Sequence, residues 1–427
     1  MEQALRQELI DLMKREVVVA TGCTEPGAVA LCVAKARETL GRMPDSVEVL
    51  LSKNVFKNAM GVGIPGTGMI GLPITVAMAL VGGDSAKGLQ VLTMSADNIE
   101  RSKKWLANNT SKIKIGIEDS ADKLFIKCIC YGGNDQAKVV IAKKHDNFVL
   151  VKRNEETLLD THYRQGSGVP NMPALHDPML TLEKVFDFAT TAPLEEISFI
   201  RDTARLNKAA SDEGLKQDYG LRTGRILKKQ AGNDIVHNVV ARTVAASDAR
   251  MGGCTLPIYS NSGSGNQGIA CTLPVYEYGV ATGCDEEKVA RALALSHLVS
   301  IYVKRGIGRL SALCGIVNAS IGVGCGITYL MGGDLTQVGY AVKNMINTLA
   351  GMVCDGAKPS CALKMATGTY SAFIAAELAC NGSVVDPTDG LSERDVDNSV
   401  CNVCRLGHDG MDETDNVILD IMTHKQP

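Results

Sequence analysis

The sequence predicts an α+β fold, with an N-terminal α+β domain (residues 1–180) followed by a mainly α-helical domain (residues 181–427). Short runs of strand-like alternation, separated by polar turns, fill residues 112–152. Helical spacing and Gly/Ala-rich apolar stretches dominate the second domain. A largely polar segment from Arg153 to Leu180, which contains three prolines, is typical of a linker between them.

The first domain is expected to open with two helices. Apolar residues recur at helical spacing in Met1–Glu16. After a break, Thr24 is predicted to be the N-cap of a second helix, with Pro26 in its first turn and Gly41 at its end. Cys23 would then lie just before a helix N-terminus, where the helix dipole lowers the pKa of a thiol.

Strands and one glycine-rich loop follow these helices. Ser46–Asn54 alternates like a strand, and Gly61–Gly68 is predicted to be a loop. The loop contains GxGxxG, but Pro65 interrupts the pattern of a nucleotide loop. A packed turn, or a small-ligand loop that includes Lys57 and Asn58, fits better. Further strands are predicted at Lys112–Ile117, Lys123–Tyr131, Ala137–Ala142 and Asn147–Lys152.

The second domain is expected to consist of helices. Gly315–Met331 comes nearest to a membrane span, but its glycines, Asn318 and Ser320 are more typical of a packed core helix. The other predicted segments are Leu182–Thr190, Leu194–Lys216, Ile226–Ala246, Glu286–Tyr302 and the glycine-rich stretches after Leu310.

The composition excludes several classes of function. A net charge of −3 without a dense basic patch argues against a nucleic-acid-binding protein. We see no secretory signal and no apolar run of transmembrane length, so we expect no membrane association. The 14 cysteines are spread through a long chain and do not resemble a secreted disulfide framework. We therefore expect reduced thiols and a cytoplasmic location.

Three cysteines form the main candidate site. Cys354 and Cys361 are separated by six residues in a segment of turn formers, and Cys314 lies upstream in an apolar stretch. Three thiolates can hold an iron–sulfur cluster and leave one iron free for substrate. The alternatives are three buried cysteines that act as small apolar residues, or a catalytic zinc site. Cys401 and Cys404 form a CxxC without a second pair, which is a weaker signal.

The segment Ser260–Gly268 is the second candidate. It is predicted to be a loop whose hydroxyls, amides and backbone N–H groups can bind a carboxylate. A flexible linker is the alternative. Lys358 is a candidate partner for the same carboxylate. The side chains expected to take part are Ser262, Ser264, Asn266 and Gln267.

The cysteine segments and the Ser262–Gly268 segment together resemble a known protein family. Ser262–Gly268, the Cys314 segment and Cys354–Pro359 together resemble the α domain of iron–sulfur-dependent L-serine dehydratases, over roughly residues 190–380. With Gly22–Pro26 and Lys57–Gly66 added, the whole chain resembles the L-cysteine desulfidase family, which includes many uncharacterised members. The helical domain is therefore expected to resemble the dehydratase α domain. The separate β domain of the dehydratases is not recognisable.

The resemblance implies a [4Fe–4S] cluster. Cys314 and Cys354 match cluster ligands shared by both groups, and Cys23 matches the N-terminal cysteine associated with the desulfidase site. Cys361 resembles the last dehydratase ligand, although the dehydratases have a longer segment between that pair. The third ligand is therefore left open between Cys23 and Cys361.

The resemblance also implies β-elimination from a small amino-acid substrate. We expect L-cysteine to give pyruvate, ammonia and sulfide, because a soft thiol leaving group suits iron; an L-serine dehydratase is the alternative. Cys23, if it is not a ligand, is the candidate base, and Glu25 could orient it. The Ser262–Gly268 loop, Lys358 and Asn58 are candidates for binding the substrate.

Other classes of protein stay open on the sequence alone. One is a pyridoxal-phosphate lyase, in which a lysine such as Lys358 would bind the cofactor. Another is a non-enzymatic iron–sulfur sensor, which would need the cluster but no substrate site. In a purely structural interpretation, the cysteines are buried thiols without a metal. The sequence leaves the oligomeric state open, and a homo-oligomer is one option.

Overall fold

The protein is described by a computed structural model that covers residues 1–119, 122–165, 179–308 and 310–425. A mixed sheet and several helices form the N-terminal part, and the part after residue 181 is almost entirely helical. The predicted fold class is confirmed. None of the described helices combines the length and the apolar character that a bilayer crossing requires.

The elements alternate at first and become helical later. The strands are β1 Val19–Ala20, β2 Ser46–Leu51, β3 Ile113–Ile117, β4 Phe125–Gly132, β5 Asp135–Ala142, β6 Phe148–Arg153, β7 Glu156–Asp160 and β8 Ile258–Tyr259. The α-helices are α1 Gln3–Glu16, α2 Thr24–Leu40, α3 Lys53–Ala59, α4 Leu72–Gly82, α5 Ala96–Asn109, α6 Leu182–Thr191, α7 Leu194–Ile197, α8 Asp202–Lys216, α9 Thr223–Gln230, α10 Ile235–Met251, α11 Gly265–Ala281, α12 Glu286–Ile307, α13 Gly315–Leu330, α14 Leu335–Leu349, α15 Cys361–Cys380, α16 Val396–His408 and α17 Asp412–Thr423.

A six-stranded sheet organises the N-terminal part. Its order is β3-β2-β4-β5-β6-β7, with β2 and β3 parallel and the other neighbours antiparallel. The four strands predicted within residues 112–152 are confirmed. Strand β7 was not predicted, because it falls in the segment expected to be a linker. Residues 166–178 of that segment lie outside the described residues.

Several predicted boundaries are wrong, and the helix predicted at Leu194–Lys216 is divided by a 3-10 turn at Ser198–Arg201. The strand predicted at Ser46–Asn54 ends at Leu51, and α3 begins two residues later. The helix predicted at Ile226–Ala246 is two helices, because Gly232 has a positive φ and Asp234 caps a new helix by accepting from the His237 amide. The segment Ser262–Gly268 is a loop only to Ser264, since that serine is the N-cap of α11.

Two large hydrophobic cores hold most of these elements, and a small third cluster lies on the sheet around Phe125 and Val149. One lies between α2, α4 and the sheet. The other is built around α13, which packs against α11, α12, α14 and α15 and is buried along almost its whole length. Helix α1 contributes Leu9, Leu12 and Met13 to this second core. The domain boundary at residue 180 stays a prediction.

Helix α17 is fastened to the N-terminal part by a buried ion pair. Lys57, on α3, is paired with Asp415, on α17, and 2% and 8% of the two side chains are exposed. Asn54 donates to the second Asp415 oxygen over 2.7 Å. Lys57 also donates to the Cys354 carbonyl over 3.1 Å. One ammonium group therefore joins α3, α17 and the loop that carries Cys354.

Replacing Asp415 with alanine should lower the stability substantially. The change leaves the Lys57 ammonium buried without its carboxylate, and loss of one partner of a buried pair costs about 3–5 kcal/mol. The free energy of unfolding, measured by urea denaturation of the protein without bound metal, checks this. Asp412→Ala on the same helix removes an exposed pair with Lys123 and should cost less than about 1 kcal/mol. Equal losses in the two variants would contradict the prediction.

Candidate functional site

Three helix N-termini and one loop bring four cysteines to a single cavity. The cavity has a volume of about 110 Å³, and the thiol-bearing residues that line it are Cys23, Cys314, Cys354 and Cys361. Cys23 and Cys314 are the N-cap residues of α2 and α13, Cys361 is the first residue of α15, and Cys354 lies in the preceding loop. One buried water needs roughly 10–15 Å³, so the cavity has room for a substantially larger group.

A two-residue antiparallel pairing places Cys23. Strand β1 pairs with β8 in the register Val19↔Tyr259, so Cys23 follows one strand while the Ser260–Gly268 segment follows the other. Thr24 was predicted to cap α2, but Cys23 is the N-cap residue. The Thr24 hydroxyl instead donates to the Gly263 carbonyl over 2.8 Å, which ties the start of α2 to the loop before α11.

A second short pairing places Cys314 beside Cys354. Leu313 and Val353 form an antiparallel bridge, the Cys314 amide donates to the Met352 carbonyl over 2.9 Å, and the Cys354 amide donates to the Ala312 carbonyl over 2.6 Å.

The loop then turns at Gly356, which has a φ of +91°. A Cβ at this position would lie 2.3 Å from the Lys57 carbonyl oxygen. Only glycine therefore fits the turn that leads to Cys361.

The thiols differ in their readiness to ionise. A hydrogen bond from the Cys314 thiol lowers the pKa of Cys354 to about 6, with help from the Lys57 and Lys364 ammonium groups and the Gly356 amide. The same hydrogen bond, together with burial, raises the pKa of Cys314 well above its usual range. Burial also raises the pKa of Cys361. Cys354 is therefore the thiolate of the group at neutral pH.

Cys23 behaves differently from the prediction. The dipole of α2 was expected to lower the pKa of its thiol, but burial raises this pKa to about 11. The Arg250 guanidinium acts in the opposite direction by its charge and by a hydrogen bond to the sulfur, and burial outweighs it. The position before the helix was predicted correctly, and the desolvation of the thiol was not.

Arg250 provides a buried cation in the wall of the cavity. It lies at the end of α10, is 7% exposed, and donates to the Asn266 side-chain oxygen over 3.1 Å and to the Gly22 carbonyl over 3.0 Å. Its Nε has no hydrogen-bond partner. The sequence analysis missed this residue, because nothing near position 250 distinguishes it from an arginine in the last turn of any helix.

Glu25 faces the same cavity from the first turn of α2. Its Oε1 accepts a hydrogen bond from the Asn58 amide over 3.1 Å and lies 4.0 Å from Nε2 of the buried His145. The Asn58 Oδ1 and the Gln267 Nε2 are buried without a hydrogen-bond partner, and both residues line the cavity. The cavity therefore offers unused polar groups as well as thiols.

The sequence-predicted residues divide into two groups. Two of them do not line the cavity: the Ser262 hydroxyl donates to Asn261 over 2.8 Å, and the Lys358 ammonium is paired with Asp355 at 2.7 Å. Lys364 lines the cavity although it was not predicted, and it is also paired with Asp355. The predicted residues that do line it are Cys23, Glu25, Asn58, Ser264, Asn266, Gln267, Cys314, Cys354 and Cys361.

The cysteines at the cavity offer thiolate donors. Within the described ranges, no three His, Cys, Asp or Glu side chains are close enough together to hold one metal ion. A zinc site needs three or four such ligands around one centre. A [4Fe–4S] cluster is a larger group held by cysteine thiolates at its corners, so its ligands stand farther apart. The four thiols that line the cavity are donors of the kind that such a cluster takes.

The chain belongs to the serine dehydratase alpha chain family, whose sequence pattern matches residues 86–420. The match extends beyond the roughly 190–380 predicted from the motifs, and it confirms the predicted relationship to the dehydratases. Membership of this family indicates a lyase-type enzyme acting in amino-acid breakdown.

Full-length relatives carry the name "UPF0597 protein". One from Bacteroides fragilis is 50% identical, and the alignment covers 100% of both chains. One from Phocaeicola vulgatus is also 50% identical, over 99% of this chain and 98% of its own. One from Oleidesulfovibrio alaskensis is 43% identical over 98% of each chain. The similarity thus includes the segment with Cys23 as well as the helical part.

Alkylation of the protein without bound metal should start at Cys354. Its pKa of about 6 makes it a thiolate at pH 7, and only the thiolate reacts quickly. The rate should fall as the pH is lowered through about 6, because the thiolate becomes protonated. Cys361 is also partly buried but has a raised pKa, and it serves as the control. Mass spectrometry of iodoacetamide-treated peptides measures both, and faster reaction at Cys361 at pH 7 would contradict the prediction.

Proposed function

We propose that the protein is a [4Fe–4S]-dependent lyase that catalyses β-elimination from L-cysteine, giving pyruvate, ammonia and sulfide. The observation that carries this proposal is the convergence of Cys23, Cys314, Cys354 and Cys361 on one cavity in a member of the serine dehydratase alpha chain family. The reaction consumes one water, because the aminoacrylate left after loss of the Cα proton and the thiol tautomerises to an imine that hydrolyses.

Cys314, Cys354 and one further cysteine would hold the cluster. When bound, a cluster with one open iron supplies a Lewis acid for the leaving group. The third ligand stays open between Cys361 and Cys23. The thiol of Cys361 lies close enough to Cys354 and Cys314 for their charges to interact, which favours Cys361.

Cys23 is the proposed base for the Cα proton. Its thiol must first ionise, and the neighbouring Arg250 guanidinium favours the thiolate against the effect of burial. Glu25 lies two residues after Cys23 in the chain and is held by Asn58, so its charge lies near the proposed base at a fixed position.

An L-serine dehydratase is the second candidate, and the family match favours it. The two candidates differ only in the group that leaves Cβ, a thiol or a hydroxyl. A thiol suits an iron centre better, which is our reason for placing L-cysteine first.

Anaerobically reconstituted protein should contain about four irons per chain if the family's cluster type applies. It should release pyruvate and sulfide from L-cysteine at least tenfold faster than it releases pyruvate from L-serine, by kcat/KM. Absorbance and iron content establish the cluster, and pyruvate release is measured for both substrates. A higher kcat/KM for L-serine would transfer the proposal to the dehydratase. Cluster-loaded protein without turnover of either amino acid would contradict both.

Cys23→Ala should reduce turnover of L-cysteine by about 10²–10⁴-fold, as expected for loss of a general base. Iron content separates the two roles, since a base can be lost with the cluster retained and a ligand cannot. Cys401→Ala, which changes a cysteine on α16 outside the cavity, is the matched control and should keep its activity. Near-normal turnover in Cys23→Ala would overturn both roles.

A further inference from the structure

Arg250 differs from the other cations around the cavity in its lack of a carboxylate partner. Lys364 is paired with Asp355, and Lys57 with Asp415. Arg250 makes no ion pair with any carboxylate of the described residues, and its hydrogen bonds go to the oxygens of Gly22 and Asn266 and to the Cys23 sulfur. A buried charge without a counter-charge is costly, so this position calls for an anion.

The backbone around Arg250 also favours the binding of an anion. A Cβ at Gly265 would lie 2.2 Å from the Arg250 Nε, so the guanidinium lies directly against the first residue of α11. The N-terminus of a helix carries a partial positive charge and free N–H groups. A guanidinium and a helix N-terminus therefore reinforce each other at one end of the cavity.

Glu25 supplies the opposite charge. Among the described residues that line the cavity it is the only carboxylate. Asn58 holds its Oε1, and the Asn58 Oδ1, buried and without a partner, offers a second acceptor nearby. Cys23 precedes Glu25 in the chain and receives a hydrogen bond from Arg250, so its thiol lies next to both charges.

We propose that Arg250 and Glu25 recognise the two charged groups of a free α-amino acid, with Arg250 binding the α-carboxylate and Glu25 binding the α-ammonium. The inference rests on the proposed function and names the determinant of its substrate class. An amino acid held at both ends presents its Cα hydrogen to Cys23, which lies next to both charges.

This assignment replaces Lys358 as the carboxylate partner and has a consequence for specificity. Charge-assisted hydrogen bonds contribute about 1.5–3 kcal/mol, so loss of either charged group of the ligand should weaken binding by about tenfold or more. Peptides, amines and simple carboxylic acids each lack one of the two groups in the required position, and the site should reject them.

Binding of three non-reacting ligands tests the proposal. L-alanine carries both charges, L-alaninamide lacks the carboxylate, and propionate lacks the ammonium group; none has a group to eliminate. Isothermal titration calorimetry on the anaerobically reconstituted protein, with cluster-free protein in parallel, gives each Kd. We expect L-alanine to bind at least about tenfold more tightly than either analogue.

The variants should remove one preference each. Arg250→Met should abolish the preference for L-alanine over L-alaninamide and keep the preference over propionate. Glu25→Gln should do the reverse. Arg242→Met is the matched control, because Arg242 lies on the same helix but is paired with Asp212 and Glu277 away from the cavity, and it should keep both preferences.

Equal affinity of the unaltered protein for the three ligands, or no binding of L-alanine, would overturn the proposal even if Arg250→Met failed to fold. Preferences that persist in both variants would do the same. The expected binding pattern without lyase activity would leave the recognition site in place and remove the proposed function. If the protein has lyase activity but both variants keep both ligand preferences, the proposed recognition site is overturned and the proposed function stands.

Discussion

Two very short antiparallel pairings determine where three of the cavity cysteines lie. The pairing of β1 with β8 and the bridge between Leu313 and Val353 each end within a few residues of a site cysteine. A single backbone hydrogen bond contributes only about 1 kcal/mol. Pairings of this size hold their register because the helices that follow them are packed, above all α13 in its buried position. The packing of the helical part thus sets the geometry of the thiols.

The electrostatics of the cavity follow from that arrangement. The helices α2, α11, α13 and α15 all begin at it, and each brings a partial positive charge. Burial nevertheless keeps Cys23 and Cys361 protonated, because the desolvation of a thiolate is more unfavourable than its interaction with the helix dipoles is favourable. A bound metal changes that balance, because coordination deprotonates a thiol directly. The same thiols are therefore inert without a cluster and suitable as ligands with one.

The sequence predicted the fold class and most of the cavity, for reasons that are local. Cys314, Cys354 and Cys361 lie in segments with recognisable turn and helix signals, and the alternation in residues 112–152 is a direct mark of half-buried strands. The differences concern which charges pair and which thiols are desolvated, and both depend on the folded structure. Lys358 is neutralised by a neighbour three residues away, and the pKa of Cys23 is set by burial under other elements.

Arg250 shows the same limit most clearly. Its importance depends on the cavity it borders, on Gly265 leaving room for its guanidinium, and on its having no carboxylate partner within the described part of the chain. No spacing rule connects these features, because they come from three separate segments. Helical periodicity can place an arginine at the end of a helix, but it does not show whether the folded chain provides a carboxylate partner for it.

The buried pair of Lys57 and Asp415 also bears on how the protein is made. Residue 57 is synthesised early and residue 415 late, yet the ammonium of the first contacts both the Cys354 carbonyl and the carboxylate of the second. A nascent chain on the ribosome lacks that carboxylate until residue 415 has emerged. The buried pair that supports the Cys354 loop can therefore form only after residue 415 has emerged.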